Sequence, residues 1–327
     1  MAICSHDVSA APVGTRVTPR IVSGTGHPHL AEAVAADLGT KVTPCLVERF
    51  PDGELRPVVD PVRGDDVYVL QPTGPPVNDH LVELMLLLDA CRRDGAARVT
   101  AVVPYFGYAR QDRRDRRGAP IAAHVAAAAL THAGADRIVV VDPHTTALEA
   151  MSPAPVETIT AVPFLARSLA PSVQPGTFVV APDLGAVKLA ERYGQHLGLP
   201  VAVVRKARIT AASVRAEGIV GDPRGHPVVI VDDMISTGAT IAAALDALSA
   251  AGADPRPLVA ATHLLAVDDA VDRLASLPVL SFFVTNSTPT ACGPPLRAKV
   301  TGLTPLLARA IRQLHQDEPL ADLVAAG

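Results

Sequence analysis

The chain reads as an α/β protein of doubly wound architecture with mostly parallel sheets. Short apolar runs alternate with longer amphipathic runs along its length, the pattern of strands followed by crossover helices. Runs such as Val228, Val229, Ile230 and Val231 are β-branched without interruption, as in strands buried on both faces. These runs close on Asp, Gly, Ser and Thr, and in open α/β sheets ligands gather beyond the carboxyl ends of the strands.

In order, strands are predicted at residues 20–22, 67–71, 99–104, 137–142, 178–181, 201–204, 228–232, 258–262 and 279–284. Helices are predicted at 28–38, 79–93, 121–133, 162–169, 184–197, 241–251, 268–277 and 304–314. The helix over 79–93 has Asn78 as a cap, Leu81, Leu84, Met85 and Leu88 on one face, and Arg92 and Arg93 at the negative end of its dipole. Two halves are expected, 18–160 and 161–315, after a disordered extension over 1–17 and before a short tail over 316–327. Each half ends a buried strand in a polar loop, VVVDPHTT in the first and VIVDDMISTGAT in the second, so a pseudo-repeat of one α/β unit is a natural reading.

A chain of 327 residues accommodates two ordinary domains. Aromatic residues are scarce, at 3% with no Trp, which argues against a stacking platform for single-stranded nucleic acid. The net charge of −4 with no long basic block argues against generic nucleic-acid binding. Basic residues cluster instead at 110–117 and 205–208, which suits a small anionic ligand. Cys4, Cys45, Cys91 and Cys292 form no CxxC pair, so neither a zinc knuckle nor a redox motif is predicted and a reducing, cytoplasmic setting fits. The N-terminus lacks the pattern of a secretory signal, and no apolar run is long enough for a membrane span.

The segment VVIVDDMISTGAT carries the most chemistry. Asp232 and Asp233 end a strand, and Ser236, Thr237, Gly238, Ala239 and Thr240 lead into an Ala- and Leu-rich helix. Backbone N–H groups, hydroxyls and the positive helix end together make an anion site. Ionised carboxylates beside it accept hydrogen bonds from vicinal hydroxyls. A phosphate pocket next to a diol clamp describes a sugar phosphate.

Five further segments stand at predicted strand ends or turns. FPDGE, with Phe50, Asp52, Gly53 and Glu54, reads most simply as a β-turn, and functionally as an aromatic face with hydrogen-bonding groups for a nucleobase. In YFGYARQDRR, aromatic residues precede Arg110 and Gln111, a combination suited to a nucleotide because guanidinium groups match phosphates and stack on bases. His144 in DPHTT and Asp183 in APDLG suit Mg2+, which keeps several waters and needs only one or two protein ligands. VRKARI places Lys206 and Arg208 just past a strand, where cations can meet the diffuse charge of phosphoryl groups in transfer.

Taken in order, FPDGE, YFGYARQDRR, DPHTT, VRKAR and VVIVDDMISTGAT resemble the ribose-phosphate pyrophosphokinase family over residues 19–322. The resemblance implies two type I phosphoribosyltransferase-like domains. It implies transfer of the diphosphoryl group of ATP to the 1-hydroxyl of ribose 5-phosphate, a ribose-phosphate diphosphokinase activity. By the same resemblance Asp232 and Asp233 clamp the ribose hydroxyls, residues 236–240 hold the 5-phosphate, and Lys206 and Arg208 stabilise the transferring group. Arg110, Gln111, Phe50, Asp52, Gly53 and Glu54 bind ATP, the last four from a neighbouring subunit, and His144 and Asp183 serve Mg2+. Homo-oligomers, commonly hexamers built from dimers, are implied too. Ser236 where bacterial members carry Asp, Ala207 within the basic run, and a shortened segment after Arg114 depart from the family pattern. A phosphoribosyltransferase, a non-catalytic partner of an active paralogue, or a paralogue specialised for another pentose phosphate are the alternative readings.

Overall fold

The computed structural model describes residues 18–208, 214–265, 267, 269–289 and 295–324, with the side chains of 206–208 and 214–217 outside the description. The expected extension over 1–17, Cys4, Cys292 and the expected helix start at Asp268 lie outside the described residues.

The first unit contains β1 (Arg20–Ser23), α1 (Pro28–Asp37), β2 (Val42–Thr43), β3 (Cys45–Arg49), β4 (Leu55–Val59), β5 (Asp66–Leu70), α2 (Val77–Asp94) and β6 (Arg98–Val103). It continues through α3 (Ala122–His132), β7 (Arg137–Val141), α4 (Leu148–Met151) and β8 (Val156–Ile159). Six of these strands form a sheet in the order β2-β1-β5-β6-β7-β8, with every pair parallel. The strands read as continuously apolar because both faces are covered. In β5, Val67 and Val69 point into a core with Leu84, Leu88 and Leu130, whereas Tyr68 and Leu70 point into the opposite core with Leu30, Val34 and Leu307.

The second unit contains α5 (Val162–Leu169), β9 (Phe178–Ala181), α6 (Val187–Leu197), β10 (Val201–Arg208), β11 (Val214–Val220) and β12 (Val228–Ile235). It continues through α7 (Ala239–Ala250), β13 (Leu258–Leu264), α8 (Ala270–Ser276), β14 (Ser281–Thr285), β15 (Ala298–Thr301) and α9 (Thr304–His315). Its sheet runs β11-β10-β9-β12-β13-β14-β15, parallel except for the β10–β11 pair. Alternate residues of β12 again serve opposite cores, Val228 and Ile230 on one face, Val229 and Val231 on the other.

Several expectations shift. Helix α9 does not complete the second unit as the 161–315 boundary expects: Leu306, Leu307, Ile311 and Leu314 pack on the first sheet beside Ile21 and Val34. A bidentate pair fastens it there. Arg98 donates from Nε to Asp66 Oδ1 (2.7 Å) and from Nη2 to Asp66 Oδ2 (2.6 Å) and the Leu314 carbonyl (2.9 Å), while His315 Nδ1 lies 2.6 Å from Asp66 Oδ2. The tail follows, with Leu320 and Leu323 buried and the Leu323 carbonyl accepting from Thr160 N at 2.9 Å.

Helix α2 begins at Val77 with Pro76 in the cap position, so Asn78 does not cap it and its Oδ1 accepts from the Tyr108 hydroxyl instead. Strand β10 runs through Lys206, Ala207 and Arg208, which lie within an antiparallel pairing to β11 rather than in a turn past the strand. The hairpin β3–β4 and strands β8, β11 and β15 carry too few consecutive apolar residues for periodicity to mark them. Among the described residues, no helix is long and apolar enough to cross a membrane.

Candidate active site at the strand tips

Strand β9 has β10 on one side and β12 on the other, so the winding reverses there and a crevice opens at the carboxyl ends of β9 and β12. Asp183 follows β9, and Asp232 and Asp233 sit in the last half of β12. Asp183 Oδ1 accepts from Gly185 N at 3.0 Å, and the Asp183 charge reaches Asp232. Burial, then the neighbouring charges of Asp233 and Asp183, push the Asp232 carboxyl well above the usual carboxylate range. Burial would also raise Asp233, but the hydrogen bond and charge of His144, joined by a hydrogen bond with Asp232 and the charge of His263, together outweigh burial and hold it low. That bond, His144 Nδ1 to Asp233 Oδ2 at 2.6 Å, raises the imidazole in turn. One carboxyl that favours its proton and one that favours its charge, side by side, can donate to and accept from a diol.

The loop beyond β12 turns on Gly238, whose φ of +77° is a left-handed conformation that other L-residues enter at a cost. A Cβ there would lie 2.7 Å from Leu274 Cδ2. Gly238 is the N-cap of α7, and its carbonyl accepts from Ala242 N at 3.0 Å. Arg273 Nη1 donates to the Thr237 carbonyl at 3.1 Å and fastens the loop to α8. Ser236, Thr237 and Thr240 are half-buried, Gly238 is buried and Ala239 is exposed. A helix start with first-turn N–H groups beside three hydroxyls provides an anion cradle.

From the first unit, Tyr105 and Phe106 are buried beyond β6, while Arg110 and Gln111 are exposed. Tyr108 adopts a φ of +67°, and its carbonyl accepts from Gln111 N at 2.9 Å. The Arg110 charge is felt by both His144 and Tyr105, which sets it on the same side of the crevice. The structure thus gathers Arg110, His144, Asp183, Asp232 and Asp233. The Phe50–Glu54 turn is elsewhere, at the tip of the β3–β4 hairpin, with Phe50 exposed and the Arg56 guanidinium 5.2 Å from its ring centroid. Gly53 there has a φ of +98°, and Asp52 Oδ1 accepts from Glu54 N at 3.1 Å. The Lys206 and Arg208 side chains lie outside the described residues.

Among the described residues, no set of three His, Cys, Asp or Glu side chains is arranged to hold a metal ion. With Nδ1 engaged by Asp233, His144 retains Nε2 as a ligand atom. A carboxylate and one imidazole edge do not make a closed cage, and this donor set fits Mg2+, which needs only one or two protein ligands.

Sequence reading missed the residues beneath the crevice. Asp142, Thr262, His263 and Ser287 are buried; Thr262 and His263 hydrogen-bond to Asp142 across the two units, and His263 also to Ser287 within the second. Nothing in the spacing of the apolar run over β13 marks Thr262 or His263.

Residues 19–134 match the family model for the N-terminal domain of ribose phosphate pyrophosphokinase, and residues 165–275 match that for the phosphoribosyl transferase domain. A ribose-phosphate pyrophosphokinase of Rhodopirellula baltica is 39% identical over 313 residues, covering 93% of this chain and 98% of that protein. One from Streptomyces coelicolor is 39% identical over 306 residues, covering 92% of this chain and 94% of its own length. The crystal structure of phosphoribosylpyrophosphate synthetase from Mycobacterium smegmatis superposes over 92% of this chain and all of its own, with a TM-score of 0.86 and 37% identity.

Proposed function

Since this chain belongs to the ribose-phosphate pyrophosphokinase family, we propose that it transfers the diphosphoryl group of ATP to the 1-hydroxyl of ribose 5-phosphate, giving phosphoribosyl pyrophosphate and AMP. The observation that carries this reading is the contact between His144 of the first unit and Asp233 of the second. It sets the Mg2+-suited segment of the first unit against the sugar-phosphate-suited segment of the second.

The 5-phosphate sits in the cradle of Ser236, Thr237, Gly238, Ala239 and Thr240, where N–H donors and the α7 dipole favour an anion. Asp232 and Asp233 take the ribose hydroxyls. Arg110 and Gln111 engage ATP, with the Arg110 fork on phosphate oxygens. The acceptor hydroxyl then attacks the β-phosphorus in line and AMP departs, so most of the catalysis is orientation and charge neutralisation. Lys206 and Arg208 meet the charge that develops on the transferring group. Asp183 and His144 would hold Mg2+, which supplies neutralisation of the ATP phosphates when bound.

The exposed Phe50 and the outward cross-strand pair Leu46 and Val58 on the same hairpin support a homo-oligomer, a hexamer by family resemblance. In it Phe50, Asp52, Gly53 and Glu54 reach the ATP of a neighbouring subunit. The chain functions in the cytoplasm without nucleic-acid or membrane partners.

The test is a screen of pentose and hexose phosphates with ATP and Mg2+, read as AMP release. Ribose 5-phosphate is expected to be the best acceptor. Absence of AMP from folded protein with every sugar phosphate overturns the reading.

A further inference from the structure

We propose that His263, together with Thr262, is a positioning residue: from β13 it clamps the turn that carries His144 and so sets the first-unit half of the site against Asp233. The kinetic part of this inference rests on the activity proposed above, and the structural part does not.

The geometry is specific. His263 is in register with Met234, the residue after Asp233, so its backbone belongs to the sugar-phosphate half. Its ring crosses to the other unit. Nε2 lies 3.1 Å from the Val141 carbonyl and 3.1 Å from the Asp142 carbonyl. Both partners are acceptors, so Nε2 carries the proton and is shared between them. Nδ1 lies 2.8 Å from Ser287 Oγ, which fits a lone pair accepting the serine hydroxyl and fixes the tautomer. Tyr105, which leads the Arg110 segment, stands edge-on to the same ring at 5.1 Å between centroids. One buried imidazole therefore touches the segments bearing Asp233, His144 and Arg110.

Thr262 completes the clamp. Its hydroxyl donates to Asp142 Oδ2 at 2.9 Å, and the same oxygen accepts from Ala161 N at 2.9 Å. Asp142 has a φ of +36°, outside the regions that residues other than glycine normally occupy. Its carbonyl and its carboxylate are both held by adjacent residues of β13, two positions before His144. A non-glycine residue keeps such a conformation only where its surroundings over-determine it. His263 is 1% exposed and so cannot meet substrate.

Two substitutions separate the hydrogen bond from the ring. His263→Phe keeps the ring and its packing on Tyr105 but donates nothing. His263→Gln places an N–H group at similar reach. For His263→Phe, kcat should fall on the order of 10- to 100-fold, as for a displacement of about 1 Å at a reacting centre. KM for ribose 5-phosphate should stay within about twofold, since residues 236–240 are held by other elements. His263→Gln should recover most of kcat. Crystal structures supply a readout independent of activity: in His263→Phe, Asp142 should return to negative φ and His144 should leave hydrogen-bond reach of Asp233, while His263→Gln keeps both. An unchanged His144–Asp233 contact in His263→Phe overturns the proposal, as do equal losses in both variants or a KM that rises in step. If His263→Phe does not fold, Thr262→Val takes the same measurements and carries the same expectations. If the wild-type protein releases no AMP, the activity assignment fails while the two crystal structures still decide the clamp.

Discussion

The Nδ1 of His144 lies 2.6 Å from Asp233 Oδ2, joining residues 89 positions apart, one in the loop after β7 of the first sheet and one on β12 of the second. The pair is charge-assisted, with each partner stabilising the charged form of the other. It marks the line along which two α/β units, each with its own pair of cores, close on one crevice.

Asp233→Asn preserves the shape of that contact and removes its charge. Hydrogen bonds to a charged group are worth about 1.5–3 kcal/mol, so affinity for ribose 5-phosphate alone should fall roughly 10- to 100-fold. Isothermal titration without ATP measures this. An unchanged affinity would show that Asp233 does not hold the sugar.

Arg110→Ala should act on the other substrate. Losing a guanidinium from ATP phosphates should raise KM for ATP by about tenfold or more, with KM for ribose 5-phosphate unchanged. Initial-rate kinetics with each substrate varied in turn separate the two. A matched rise in both would place Arg110 at a shared or structural position.

Gly238→Ala introduces a side chain at φ +77° against Leu274. The left-handed conformation costs about 1–2 kcal/mol in an L-residue, and the contact with a leucine side-chain end adds less because that end can turn. Denaturant unfolding should show a loss of that order. Affinity for ribose 5-phosphate should drop as well, since the glycine caps the helix whose N–H groups face the phosphate. Lost stability with full affinity would mean that the loop is not the anion cradle.

Asp66→Asn tests how α9 is held. Burial raises the Asp66 carboxyl, but hydrogen bonds from Arg98 and His315 outweigh it and hold the pKa below the ordinary value. A carboxyl depressed on folding contributes stability that is present above its unfolded pKa, about 3.9, and is lost as pH falls through the folded value. Acid unfolding of the wild type should therefore include this loss. The variant should be less stable by about 2 kcal/mol at neutral pH, in the range for losing hydrogen bonds to a charged group, and the gap should narrow below pH 4. A gap independent of pH would rule out Asp66 as the source.

Much of this was legible before the structure. Continuous β-branched runs such as Val228 to Val231 announce strands covered on both faces, and VVIVDDMISTGAT carries its own strand end, acidic pair and anion loop. What was not legible depends on long-range pairing. The strand β10 extends through Lys206 to Arg208 because β11 lies antiparallel to it, and polar residues give no apolar period to read. Glu83 sits in an otherwise ordinary helix face, yet it is buried and accepts from both Thr25 N and Thr25 Oγ1 at 2.6 Å. Asp142, Thr262 and His263 are isolated polar residues at apolar strand ends, and their partners are set only when the two sheets meet. Chain order places helix α9 with the second unit, whereas its apolar face is buried against the unit that begins the chain.

The most direct test of the central claim is 31P NMR of one incubation of the protein with ATP, ribose 5-phosphate and Mg2+. The account predicts AMP and a diphosphoryl group on the sugar, appearing in equal amounts. Formation of ADP with a sugar bisphosphate, or an unchanged ATP spectrum from folded protein, would contradict it.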